Sequence, residues 1–141
     1  DTAALLAHPH CMPASDGSAL SVEGRLRRGN PHPRSFGTFP RVLGKYVRED
    51  KIMTLAEAVR KMSALPADTL GLKDRGYLRS GYWADVVVFD PNTVADRATW
   101  AAPFQYPAGI PYVLVNGELV LAQDKLTGKL AGKVLRAPFS A

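Results

Sequence analysis

The sequence predicts an α/β chain in two parts, helical before residue 72 and strand-rich from residue 73 onward. Three observations carry this. Thr54-Leu55-Ala56-Glu57 is a capping box, a start signal for a helix. Ala84 to Asp90 is an apolar, β-branched run, the composition of a strand with both faces buried. Asn116-Gly117 lies between two apolar runs, Tyr112 to Val115 and Glu118 to Leu121, which marks a hairpin. One strand and one hairpin cannot bury both faces of a sheet, so this β unit is expected to need strands from elsewhere.

The 141 residues suffice for one ordinary domain, and a 46% hydrophobic fraction belongs to a folding chain rather than a disordered one. No apolar run approaches the ~20 residues of a membrane-spanning helix, and no secretory leader is visible. The single cysteine, Cys11, excludes an internal disulfide framework and fits a reducing, cytoplasmic setting. The net charge is +5, densest at Arg25, Arg27, Arg28 and Arg34. No aromatic residues interleave with these as base-stacking platforms would, which argues against nucleic acid as a partner.

The elements follow in order. Thr2 to Ala7 is built of good helix formers and is stopped by Pro9. With nothing before it to start that helix, and no initiator Met, the chain is expected to be incomplete. His10 to Ser15 reads as a short buried strand with Cys11 as a core thiol. It delivers Asp16 at its end, before a turn at Gly17. In a β/α barrel the ends of strands carry the chemistry. Gly17 to Pro33 has no periodicity and reads as a long loop. Pro40 is expected in the first turn of a helix over residues 41–49, with Val42, Leu43, Tyr46 and Val47 facing inward. The capped helix then buries Leu55, Ala58, Val59, Met62 and Leu65. Pro66 ends it and opens a short helix, closed by Gly71 as its C′ residue. Pro91 to Pro111 is a packed excursion, and Phe36, Phe39, Trp83 and Trp100 are expected in the core. The tail, 127–141, is expected on the surface.

Several stretches are similar to a known family. His8-Pro9 through Met12-Pro13-Ala14-Ser15-Asp16-Gly17 resembles the end of the last barrel strand in the amidohydrolase superfamily. Residues His32-Pro33-Arg34-Ser35-Phe36-Gly37-Thr38-Phe39-Pro40 resemble the N-acyl-D-amino-acid deacylases, or D-aminoacylases, within it. Residues 55–62, Leu65-Pro66-Ala67, residues 70–76, residues 81–91 and Val113-Leu114-Val115-Asn116-Gly117 continue the likeness over nearly the whole chain. The resemblance implies a zinc-containing β/α (TIM) barrel with a small β-sandwich built from both ends of the polypeptide. This chain would supply only the C-terminal portion. Residues 1–72 would give the last barrel strand, the substrate loop and the following helices. Residues 73–141 would give the C-terminal strands of the sandwich and the tail.

The resemblance also implies roles. Asp16 matches the family's catalytic aspartate, which sits beside zinc, takes a proton from the metal-bound water and hands it to the leaving amine. Arg34 would hold the free carboxylate of an N-acyl-D-amino acid, since its planar fork pairs bidentately with a carboxylate. His32 neighbours Arg34 and is placed beside the substrate, with loop packing as its competing role. No metal ligands are assigned in this chain. His10 and Cys11 are adjacent and would point to opposite faces of a strand, and the family's zinc ligands lie in earlier strands. The partner implied is the N-terminal barrel portion, as a missing segment or a separate chain. Two alternatives stand beside this reading: a dihydroorotase- or hydantoinase-like amidohydrolase, and a non-catalytic subunit completing a partner barrel.

Overall fold

The computed structural model describes residues 1–136. The last five residues of the expected surface tail lie outside them. Residues 1–58 with 90–109 form one compact unit, and residues 59–89 with the chain from 110 onward form a second.

In the first unit, α1 spans Thr2–Ala7 as expected. Its end is set by the residue before a proline: His8 is extended at φ −68° and ψ 131°. The expected strand at residues 10–15 is not formed. Burial alternates along it with a period of two, as in a strand, but among the described residues no neighbour supplies a hydrogen-bonding ladder. Cys11 is half-buried, not a core thiol. A single short turn, Gly24–Leu26, interrupts the loop that follows.

The next helix starts earlier than expected. α2 spans Arg34–Arg41 and continues as a π-helical stretch, Val42–Glu49, with Pro40 inside it. The proline that opens the helix is Pro33, already at φ −52° and ψ −25°. Pro40 has no N–H to donate to the preceding turn, and the widened stretch begins two residues after it. Val42, Leu43 and Gly44 are buried, while Tyr46 and Val47 are only half-buried. The excursion of residues 91–111 is packed. The Asp90 N–H donates to the Gly109 carbonyl at its base (2.9 Å), and Ala95 pairs with Ala108. Val94 is fully buried, and Arg48 Nη1 donates to its carbonyl at 2.7 Å.

α3 (Leu55–Met62) starts at the expected cap, where the Glu57 N–H donates to Thr54 Oγ1 at 3.2 Å. Its buried face is rotated from expectation. Leu55 and Val59 are exposed, whereas Ala58 and Lys61 are buried. Lys61 is 1% exposed, so the whole side chain is inside, where a binary hydrophobic pattern does not place a lysine. α4 spans Ala64–Thr69. The Leu72 N–H donates to Ala67 O and the Gly71 N–H to Asp68 O, with Gly71 at φ 69°. This is a Schellman termination, so Gly71 is the expected C′ residue.

The second unit holds an antiparallel sheet of order β1-β2-β3-β4: β1 Val86–Val88, β2 Tyr112–Val115, β3 Glu118–Ala122 and β4 Lys125–Leu126. β1 is an edge strand. Val87 is 54% exposed, so the expected burial of both faces is corrected. The β2–β3 turn has Asn116 at φ 51° and Gly117 at φ 84°, a type I′ hairpin. Register slips between Val113, opposite Leu121, and Leu114, opposite Leu119, which leaves Val120 as a bulge. β3 and β4 turn through Gln123 and Asp124, both at positive φ without a glycine. That hairpin was not expected, since neither residue is a strong turn signal.

Candidate functional site

The site lies in the first unit, where the chain after α1 meets the first turn of α2. Ser15, Asp16 and Gly17 form a tight turn in which the Gly17 N–H donates to Ser15 Oγ at 3.2 Å. Asp16 takes φ 47°, a left-handed conformation that few non-glycine residues adopt. The turn sits against α2 so closely that a β-carbon on Gly17 would lie 3.0 Å from the Ser35 Cα. The Asp16 side chain, 84% exposed, therefore meets the next residue back on that helix. Arg34 Nη2 lies 2.7 Å from Asp16 Oδ2.

Arg34 is the first residue of α2 and its backbone is held in place. Its N–H donates to His32 Nδ1 at 3.0 Å, and its carbonyl accepts from Thr38 Oγ1 at 3.0 Å. With Nδ1 accepting, neutral His32 carries its proton on Nε2. The His32 ring meets the Trp100 ring edge-on at 4.4 Å. Trp100 is 71% exposed, so it forms a rim beside His32 and is not in the core as expected. Phe39 and Trp83 are likewise exposed, and of the four rings assigned to the core only Phe36 is half-buried.

The excursion brings in residues that sequence reasoning missed. Phe36 packs against Phe104 and Tyr106, each at 5.9 Å between ring centres. The Arg27 guanidinium lies 4.4 Å over Phe104, and Ser21 Oγ is 3.3 Å from the Tyr106 hydroxyl. These contacts pin the long loop on both sides of the site. Arg41 Nη1 donates to Asp96 Oδ2 at 2.9 Å, and that hydrogen bond raises the Arg41 pKa above its ordinary value. No local pattern pairs residue 36 with residue 104; the signal was the prolines and aromatics that made the excursion look packed.

The histidines make no metal centre here. The His8 and His10 rings are 5.7 Å apart, and the His10 N–H donates to His8 Nδ1 at 3.3 Å. Among the described residues no three His, Cys, Asp or Glu side chains converge as a metal ion requires. Ser15 Oγ accepts the Gly17 N–H within the turn, and among the described residues no hydrogen bond joins it to a histidine. No described helix is long and apolar enough to cross a membrane.

The site thus pairs a turn that presents a carboxylate with a helix start that presents a guanidinium to it. The sequence profile of the amidohydrolase family matches residues 8–121, and the chain belongs to that family. It is 51% identical over 133 residues to the N-acyl-D-glutamate deacylase of Alcaligenes xylosoxydans xylosoxydans, covering 94% of this chain and 26% of that protein. The crystal structure of a D-aminoacylase superposes with a TM-score of 0.84 at 46% identity, over 94% of this chain and 26% of that one. The N-acyl-D-glutamate deacylase of Bordetella bronchiseptica, solved with zinc and a phosphonate mimic of the tetrahedral intermediate, gives 0.82 at 51% identity. That match covers 96% of this chain and 27% of that one. The chain thus spans about a quarter of the length of these relatives.

Proposed function

We propose that this chain is the C-terminal portion of a zinc-dependent N-acyl-D-amino-acid deacylase, which hydrolyses the substrate amide to a carboxylate and a free D-amino acid. The observation that carries the proposal is the meeting of Asp16 and Arg34 at 2.7 Å, within a segment that aligns with deacylases. Amide hydrolysis needs a group that accepts a proton from the attacking water and returns it to the departing nitrogen. Asp16 is an exposed carboxylate suited to both steps. A substrate with a free carboxylate also needs a fork to orient it, and Arg34 supplies one. His32 acts on the substrate only indirectly, by holding the Arg34 backbone.

In this reading residues 1–72 bring the last strand and helices of a β/α barrel, and residues 73–141 bring part of a small β-sandwich. Zinc belongs to the assembled enzyme. We assign its ligands to the N-terminal barrel portion, a reading that fits the lack of a His, Cys, Asp or Glu cluster among the described residues. The setting is cytoplasmic, as a lone thiol fits.

The test is turnover by the complete zinc-loaded enzyme that carries this chain. N-acyl-D-amino acids are expected to be hydrolysed and their L-enantiomers not. Asp16→Asn is expected to lower kcat at least ~100-fold, the scale of a general acid–base contribution. Turnover of dihydroorotate or hydantoins in their place would assign a cyclic-amide hydrolase. Unchanged activity in Asp16→Asn would assign a non-catalytic subunit.

A further inference from the structure

We infer that Arg34 serves two carboxylates at once: it positions Asp16 through Nη2 while its remaining N–H edge takes the carboxylate of the substrate. This rests on the deacylase reading and adds to it a positioning role for Arg34 that acts through Asp16.

Three observations carry the inference. First, the closest approach of the two groups is Nη2 to Asp16 Oδ2, at 2.7 Å. A guanidinium has five N–H donors in a planar fork, so a bidentate edge is left over. Arg34 is 43% exposed, which leaves that edge open to solvent and to a ligand. Second, the geometry is held from both sides. Asp16 is kept at φ 47° by the Ser15–Gly17 hydrogen bond and by the close fit of Gly17 on Ser35. Arg34 is kept at its helix start by His32 and Thr38. Third, an ion pair with one partner 84% exposed contributes little to stability. A contact of little stabilising value places Asp16 rather than holding the fold together.

The consequence is geometric. One guanidinium touching both the base and the substrate fixes their separation. A misplacement of about 1 Å in such an arrangement can cost on the order of 100-fold in rate.

A double-mutant cycle on the complete zinc-loaded enzyme, with an N-acyl-D-amino acid as substrate, tests this. Arg34→Gln in the unaltered background is expected to raise KM and to lower kcat by about tenfold or more. In the Asp16→Asn background the same substitution is expected to raise KM by a similar factor and to leave kcat unchanged. An Arg34→Gln effect confined to KM, or an equal fall in kcat in both backgrounds, would overturn the assignment. Absence of any turnover by the unaltered enzyme is a separate failure, which removes the deacylase reading and the role of Arg34 with it.

Discussion

Arg75 gives the sharpest stability prediction, because one side chain ties together four separate stretches of the second unit. It is 11% exposed. Nη1 donates to Asp85, Nη2 donates to Asn116 Oδ1 at 2.6 Å, and the guanidinium lies 5.3 Å over the Trp83 ring. Its two partners are themselves linked. The Asn116 N–H donates to the other Asp85 oxygen at 2.8 Å, and Asn116 Nδ2 donates to Ala131 O at 2.6 Å. Arg75→Ala therefore takes one of two donors from the Asp85 carboxylate and the Arg75 donor from Asn116 Oδ1. A hydrogen bond to a charged group contributes ~1.5–3 kcal/mol, but Asp85 is 36% exposed and solvent screening brings this nearer ~1 kcal/mol. The Asn116 bond adds ~1 kcal/mol and the ring contact ~0.5–1 kcal/mol. The expected loss is about 3 kcal/mol, a large share of the ~5–15 kcal/mol that stabilises a typical domain. Urea unfolding of the complete enzyme, with amide exchange read at Asn116 and Gly117, measures it. Arg75→Lys should recover only a minor part, since an ammonium cannot bond both partners in a fork. A loss under ~0.5 kcal/mol, or full recovery in Arg75→Lys, would refute the reasoning.

Two smaller effects follow from the same structure. Thr54→Ala removes the hydroxyl that accepts the Glu57 N–H and is expected to cost ~1 kcal/mol, with exchange of the first-turn amides of α3 accelerated. Asp90 accepts the Asn92 N–H at 2.9 Å and the Thr93 hydroxyl at 3.1 Å, and these bonds hold its pKa below the ordinary 3.8. The folded form then binds fewer protons than the unfolded form in this range. Its contribution is complete above pH 3.8 and is lost as pH falls through the depressed value. Asp90→Asn should flatten the acid limb of a stability–pH curve below about pH 4, and an unchanged limb would exclude the linkage.

Local chemistry was legible wherever a few neighbouring residues decide the backbone. The cap at Thr54, the Gly71 termination and the Asn116-Gly117 turn all stand where the sequence places them. Each is a contest among nearby groups for a handful of hydrogen bonds. Decisions that depend on distant partners were not legible. Residues 10–15 alternate in burial like a strand and form none, because a strand is defined by its neighbour. Val87 and Val88 read as buried by composition and lie on an exposed edge. Lys61 carries a charge that composition assigns to the surface, yet it is buried whole. The helix start moved from Pro40 to Pro33 because both prolines fit a first turn, and only the packed fold selects between them.

The candidate site divides along the same line. Asp16 and Arg34 could each be singled out from their own short stretch, but not their contact, which spans a loop without periodicity. What joins them is Gly17, whose missing side chain lets the turn rest on the Ser35 backbone. The aspartate on that turn is then forced into the left-handed region, where its carboxylate reaches the first residue of α2. A β-carbon at position 17 would lie 3.0 Å from the Ser35 Cα, so the turn or the helix start would have to give by a few tenths of an ångström. The residue that sets the separation of the two charged groups is therefore one that carries no charge or functional group of its own.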